Sequence, residues 1–159
     1  MRITPGSPEW LRRDAMYRNA VREQIIRNGW VVQGVFPTAE DPGPQFTYTI
    51  GLVEAGLPEL LIMGLPTDVG AVILNAAAKR HLEHEFTAGD TWEFPEVVPP
   101  LPFRVVDIPA RHSCLGTAYR IYERNTVRGL QLVWADVAGR FPGEDGYDDV
   151  PQDLPPSAS

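Results

Sequence analysis

The chain has little of what usually declares a function. Its 159 residues include one cysteine, which excludes an internal disulfide and suits a reducing compartment. No apolar run approaches the roughly 20 residues needed to span a bilayer. The opening "MRITPGSPEW" lacks the basic-then-apolar order of a secretory signal, so a cytoplasmic location is expected, with no membrane partner. No glycine-rich stretch has phosphate-loop spacing, no G-x-S-x-G occurs, and there is no internal repeat. Lysine is nearly missing as well. Thirteen of the fourteen basic residues are arginine and only Lys79 is lysine, a bias that fits GC-rich coding better than any physical need.

Positive charge is the scarcer sign. The net charge is −7, unevenly spread. Residues 1 to 36 carry six arginines against three acids, whereas residues 37 to 110 carry three basic residues against eleven acids. An acidic middle argues against a nucleic-acid groove, which needs clustered positive charge. What remains is a globular composition, 43% apolar with four tryptophans, in a length that fits one domain.

"GSPEWLRRDAMYRNAVREQIIRNGW" reads as a helix with both ends marked. Ser7 can cap it, Pro8 suits the first turn, Glu9 complements the dipole and Gly29 can end it. Trp10, Tyr17, Val21 and Ile25 form its apolar stripe. Strands are expected at 30–36, 46–52 and 59–65. A second helix is expected from Pro66 to His84, with Val69, Val72, Ile73, Ala76 and Ala77 lining one side. "TWEFPEVV" and "FRVVDI" are shorter strand candidates, "SCLGTAYRIYERN" a third helix and "GLQLVWAD" the last strand. The order predicts an α+β fold: a mainly antiparallel sheet of five to six strands with three helices packed on it. Residues 1–29 supply the N-terminal helix and 30–142 the core. Residues 143–159 read as a flexible acidic, proline-rich tail, so that removing 151–159 should cost no more than about 0.5 kcal/mol.

In "FTYTIGL", Phe46, Tyr48 and Ile50 point one way and Thr47, Thr49 and Gly51 the other. The larger apolar set should pack against a helix. Thr49 should make a specific hydrogen bond, with Gln131 as partner if the last strand lies beside this one. Gly51 leaves room for solvent, a partner chain or a ligand.

His81 and His84 share a helical face, and "RHSC" offers His112 and Cys114. Zinc accepts such side chains, but "HLEH" matches neither H-E-x-x-H nor H-x-x-E-H, and the helix dipole already accounts for histidines at that end. No metal and no cofactor are expected. Cys114 reads as a half-buried small residue rather than a nucleophile paired with His112. The acids of "GEDGYDDVPQD" depart from calcium-loop spacing.

"FTYTIGLVEAGLPELLIMGLP", the following "ILN" and the late "RGLQLVWADVAGRFPGEDGY" resemble the bacterial family known as domain of unknown function 4262. The shared positions are Phe46, Tyr48, Thr49, Gly51, Leu52, Pro58, Glu59, Leu60, Leu74, Asn75, Gln131, Leu132, Trp134, Asp136, Gly139, Arg140, Phe141 and Pro142. The family pattern has Trp after F-P, where this chain has Gly143. The resemblance spans about residues 28 to 147 and implies a soluble bacterial protein; no activity comes with it.

Two function readings follow. In the first, Tyr48, Thr49, Glu59, Gln131, Trp134 and Asp136 line a small-molecule site between sheet and helices, binding or catalytic. In the second, the chain is an interaction module or homodimer that uses a sheet edge or the basic first helix. A concave site joining Glu59 to Gln131 would favour the first, a flat apolar patch the second.

Overall fold

A computed structural model describes residues 4–40, 43–110, 112–123 and 126–154. Helix α1 spans Pro8–Asn28 with the caps its sequence advertises: the Ser7 hydroxyl accepts from the Trp10 N–H at 3.2 Å, and Gly29, at φ +90°, donates its N–H to Ile25. Strands β1 (Val31–Val35), β2 (Phe46–Ile50) and β3 (Glu59–Met63) follow, then helix α2 (Thr67–Glu83). After these come β4 (Thr91–Trp92), β5 (Phe103–Asp107), helix α3 (Gly116–Ile121) and β6 (Gly129–Trp134). Single 3₁₀ turns lie at Leu52–Ala55 and Ser113–Leu115. The proline-rich stretch after Trp92 leaves β4 only two residues long. The third helix is also shorter than its sequence suggested, and Arg124 and Asn125 fall outside the described residues.

The sheet order is β1-β2-β3-β6-β5-β4. Every pair is antiparallel except β3 with β6, which run parallel with Glu59 opposite Gly129 and Leu61 opposite Gln131. The fold is α+β with three helices on a six-stranded, mainly antiparallel sheet. One face, with Leu60, Ile62, Leu132 and Trp134, shares an apolar cluster with Ile73, Leu74 and Ala77 of α2 and with Phe86, Phe94 and Phe103. The other, with Phe46, Tyr48, Ile50, Leu61 and Met63, meets Val21 and Ile25 of α1 and Ala118 of α3. Both faces of β2 and β3 are therefore covered, and all five residues of each strand are buried.

That double cover places the two sets of side chains in "FTYTIGL". The aromatic set packs on helices, as expected. The hydroxyl set is buried too, because α2 lies on it: a Cβ added to Gly70 would stand 2.7 Å from the Thr47 hydroxyl, so only glycine lets the helix come this close. Gly51, at φ +122°, is approached by the end of α1, where a Cβ would meet the Gly29 carbonyl and Ile25 at 3.0 Å. The space at Gly51 is taken by the chain itself.

Two further expectations are corrected. Val69 and Val72 are 42% and 55% exposed, because α2 turns Gly70, Ile73, Leu74 and Ala77 to the sheet instead. The acidic C-terminal stretch docks as far as Leu154. Gln152 is buried and hydrogen-bonded to β6, and Leu154 packs into the apolar cluster beneath α1 and α3. Residues 155–159 lie outside the described residues.

Candidate functional site

Glu59 opens β3 and is fully buried. Its carboxylate accepts four hydrogen bonds: from the Thr49 hydroxyl (2.9 Å) and the N–H groups of Gly51 (2.9 Å), Leu52 (3.1 Å) and Val53 (3.3 Å). The last three are the free donors at the start of the Leu52–Ala55 turn, so the carboxylate caps that turn from inside the protein. Burial pushes the Glu59 carboxyl up to about 7, against the pull of all four donors. Thr49 does make the specific bond its position suggested, but the partner is Glu59 and not Gln131. It also accepts from the Leu60 N–H at 2.9 Å. The reason is strand order: β6 pairs with β3 rather than β2.

The other predicted site residues are engaged elsewhere. The Tyr48 hydroxyl accepts from the Thr117 N–H at 3.0 Å, tying β2 to α3, and burial raises the phenol above its ordinary range. Gln131 donates to the Gln152 main-chain carbonyl, and the Trp134 indole donates to the Met63 carbonyl at 2.9 Å. Asp136, buried after β6, accepts from the N–H groups of Ala138, Arg140 and Asp148 and from the Arg140 guanidinium. Desolvation works against its charge, but those bonds prevail and its pKa is lowered. Thus the structure joins Thr49 to Glu59, and Gln131 and Trp134 to Gln152, while Tyr48 and Asp136 have partners of their own. Each of the six has a hydrogen-bond partner within the protein.

The concave surface lies next to them. A half-open cleft of about 600 Å³ runs along the amino-terminal ends of β3 and β6. It is lined by Pro58, by Glu85–Ala88, by the end of β5 and the residues after it (Asp107, Ile108 and Ala110) and by the run Val127–Leu130. Its lining thus includes the charged residues Arg128, Glu85 and Asp107 beside the apolar Phe86, Ile108 and Leu130. None of the six predicted residues lines it, although Glu59 stands directly behind Pro58 and bonds through its N–H to the Arg128 carbonyl at 2.8 Å. Arg128 in turn donates to the Gly56 carbonyl at 3.0 Å.

His81 is the hidden support of this cleft. Its Nδ1 accepts from the Phe86 N–H at 2.9 Å, so Nε2 carries the proton and donates to the Pro58 carbonyl at 3.1 Å. Both partners line the cleft. Burial lowers the imidazole pKa and keeps the ring neutral. His84 meets Trp92 edge-on, whereas Cys114 belongs to the other apolar cluster from the one that α2 joins. The His112 ring accepts the Cys114 N–H at 3.0 Å, and Cys114 is buried beneath α1 and α3, its thiol pushed up to about 12 by burial. Among the described residues, no three His, Cys, Asp or Glu side chains stand together as a metal ion would need.

Sequence reasoning missed the cleft because its walls come from four separated segments rich in ordinary loop residues. The available signal was Pro58 together with the "RGL" of residues 128–130, both inside the stretches that carried the family resemblance.

A family model with the description Domain of unknown function (DUF4262) matches residues 24–148. No curated protein and no solved structure matches the chain. Among the described residues no helix is long and apolar enough to cross a membrane.

Proposed function

Because the chain belongs to the DUF4262 family, whose description carries no activity, we propose from its geometry that it is a small-molecule-binding domain and that the cleft at the amino ends of β3 and β6 is its site. The observation that carries this reading is the cleft itself. Its volume of about 600 Å³ suits a small ligand, and its lining combines Arg128, Glu85 and Asp107 with apolar residues. In this reading Glu59, Thr49 and His81 do not touch the ligand; they hold Pro58, Phe86 and Arg128 in place. A fragment library titrated onto ¹⁵N-labelled protein tests it. Amide shifts should cluster at Thr87, Asp107, Arg128 and Gly129, and Arg128→Ala should weaken the charged hits about tenfold. Shifts scattered over other surfaces would defeat the proposal.

A specific observation favours a second reading, a homodimer. Strand β1 is an edge strand with neither proline nor charge in its "VVQGV", and Phe36, Val69 and Val72 are exposed. Edges of this kind invite pairing with a second copy. Light scattering should then give twice the monomer mass, reduced to one by Val32→Pro; a monomer at all concentrations excludes it.

A further inference from the structure

The opposite ends of β3 and β6 are filled by the chain itself, and the way they are filled is specific. Gln152 is 4% exposed. Its side-chain carbonyl accepts from the Trp134 N–H at 3.0 Å, and its side-chain amide donates to the Trp134 carbonyl at 2.8 Å and to the Tyr147 hydroxyl at 3.0 Å. One carboxamide therefore pairs with both main-chain groups of a strand residue, as a neighbouring strand would. Its own main-chain carbonyl accepts from the Gln131 side chain at 2.6 Å. Just before it, the backbone comes down onto Gly64: a Cβ there would stand 3.1 Å from the Val150 side chain and 3.4 Å from the Pro151 carbonyl. Two residues after it, Leu154 enters the apolar cluster that includes Met63.

The groove and its occupant have different standing. Gly64, Gln131 and Trp134 fall inside the stretch matched by the family model, whereas residues 150–154 lie beyond its end at 148. The family model covers the receiving surface and ends before the segment seated in it.

We infer that this groove is a recognition site for an extended peptide segment that carries a glutamine side chain with a leucine two residues on, and that residues 150–154 are a resident occupant held in cis. The chemistry selects glutamine. A carboxamide offers a donor and an acceptor side by side, which the N–H and C=O of Trp134 require. A carboxylate would set a second acceptor against the Trp134 carbonyl. Gln131 and Gly64 read the backbone and the apolar cluster reads the leucine, the division of labour seen when a peptide is added along a strand.

The test uses the full chain carrying Gln152→Ala, ¹⁵N-labelled and titrated with the peptide Val-Pro-Gln-Asp-Leu. The Gly64 amide, the Gln131 side-chain amide and the Trp134 indole should shift in the variant and stay unmoved in the wild-type chain, whose groove is taken. The same peptide with Glu in place of Gln should bind about tenfold more weakly. Absence of shifts in the variant, or equal binding of the Glu peptide, would overturn the assignment. If Gln152→Ala does not fold, Leu154→Ala loosens the segment while leaving the carboxamide intact, and the same two outcomes decide.

Discussion

The two ends of the single parallel strand pair are opposites. Ligands of open parallel sheets gather at the carboxyl ends of the strands. Here the carboxyl ends of β3 and β6 are closed over by Val150, Pro151 and Gln152, and the open cleft lies at the amino ends. At the amino end the buried polar group is a carboxylate holding a turn; at the carboxyl end it is an amide imitating a strand. The comparison teaches that a sheet with one parallel seam need not leave its crevice open where a fully parallel sheet would.

The sharpest way to break the amino end is Glu59→Ala. It orphans three backbone N–H groups and the Thr49 hydroxyl in a buried site, and should cost on the order of 4 kcal/mol of unfolding free energy in urea. A loss below about 1 kcal/mol would mean the turn finds other acceptors.

Next in size is pH. Glu59 titrates near 4.5 in the unfolded chain and about 7 in the folded one, so the folded state holds the extra proton between these values. Its contribution is most favourable below 4.5, declines as pH rises through that window and levels off above about 7. The slope should reach at most about 1.4 kcal/mol per pH unit and vanish in Glu59→Gln. Asp136, with its lowered pKa, works the other way, losing stability as pH falls through the acid range.

At the carboxyl end, truncation after Val150 removes Gln152 and Leu154 and should cost about 2 kcal/mol, well above what the composition of the tail suggests. An unchanged melting temperature would show that the docked segment adds nothing. Smallest is Thr49→Val, which keeps the shape and forfeits the bonds to Glu59 and Leu60, at about 1–2 kcal/mol by chemical denaturation.

Much of the fold was legible in the sequence, because periodicity and end signals are local. The caps at Ser7 and Gly29 and the strand cores at 46–50 and 59–63 stand where their residues place them. Thr49 was legible as a hydrogen-bonding position, but its partner was not, since partnership depends on strand order and alternation says nothing about which strand lies next. Gln152 was illegible for a different reason. Prolines and acids announce an extended, solvated chain, and only a waiting groove turns one amide among them into an anchor. The cleft is a property of four separated segments meeting, which no local window contains.

The seam that divides these two ends also sets the order of assembly. Strands β1 to β3 pair with near neighbours, and so do β4 to β6, but Glu59 meets Gly129 across seventy residues of chain. Loop closure makes such a pairing late. Until it forms, "ELLIM" and "GLQLVW", which run down the middle of the finished sheet, are both bare strand edges with little charge. The seam buried at the centre of the finished sheet is therefore the one exposed longest while it folds, and the half-folded chain is where aggregation should begin.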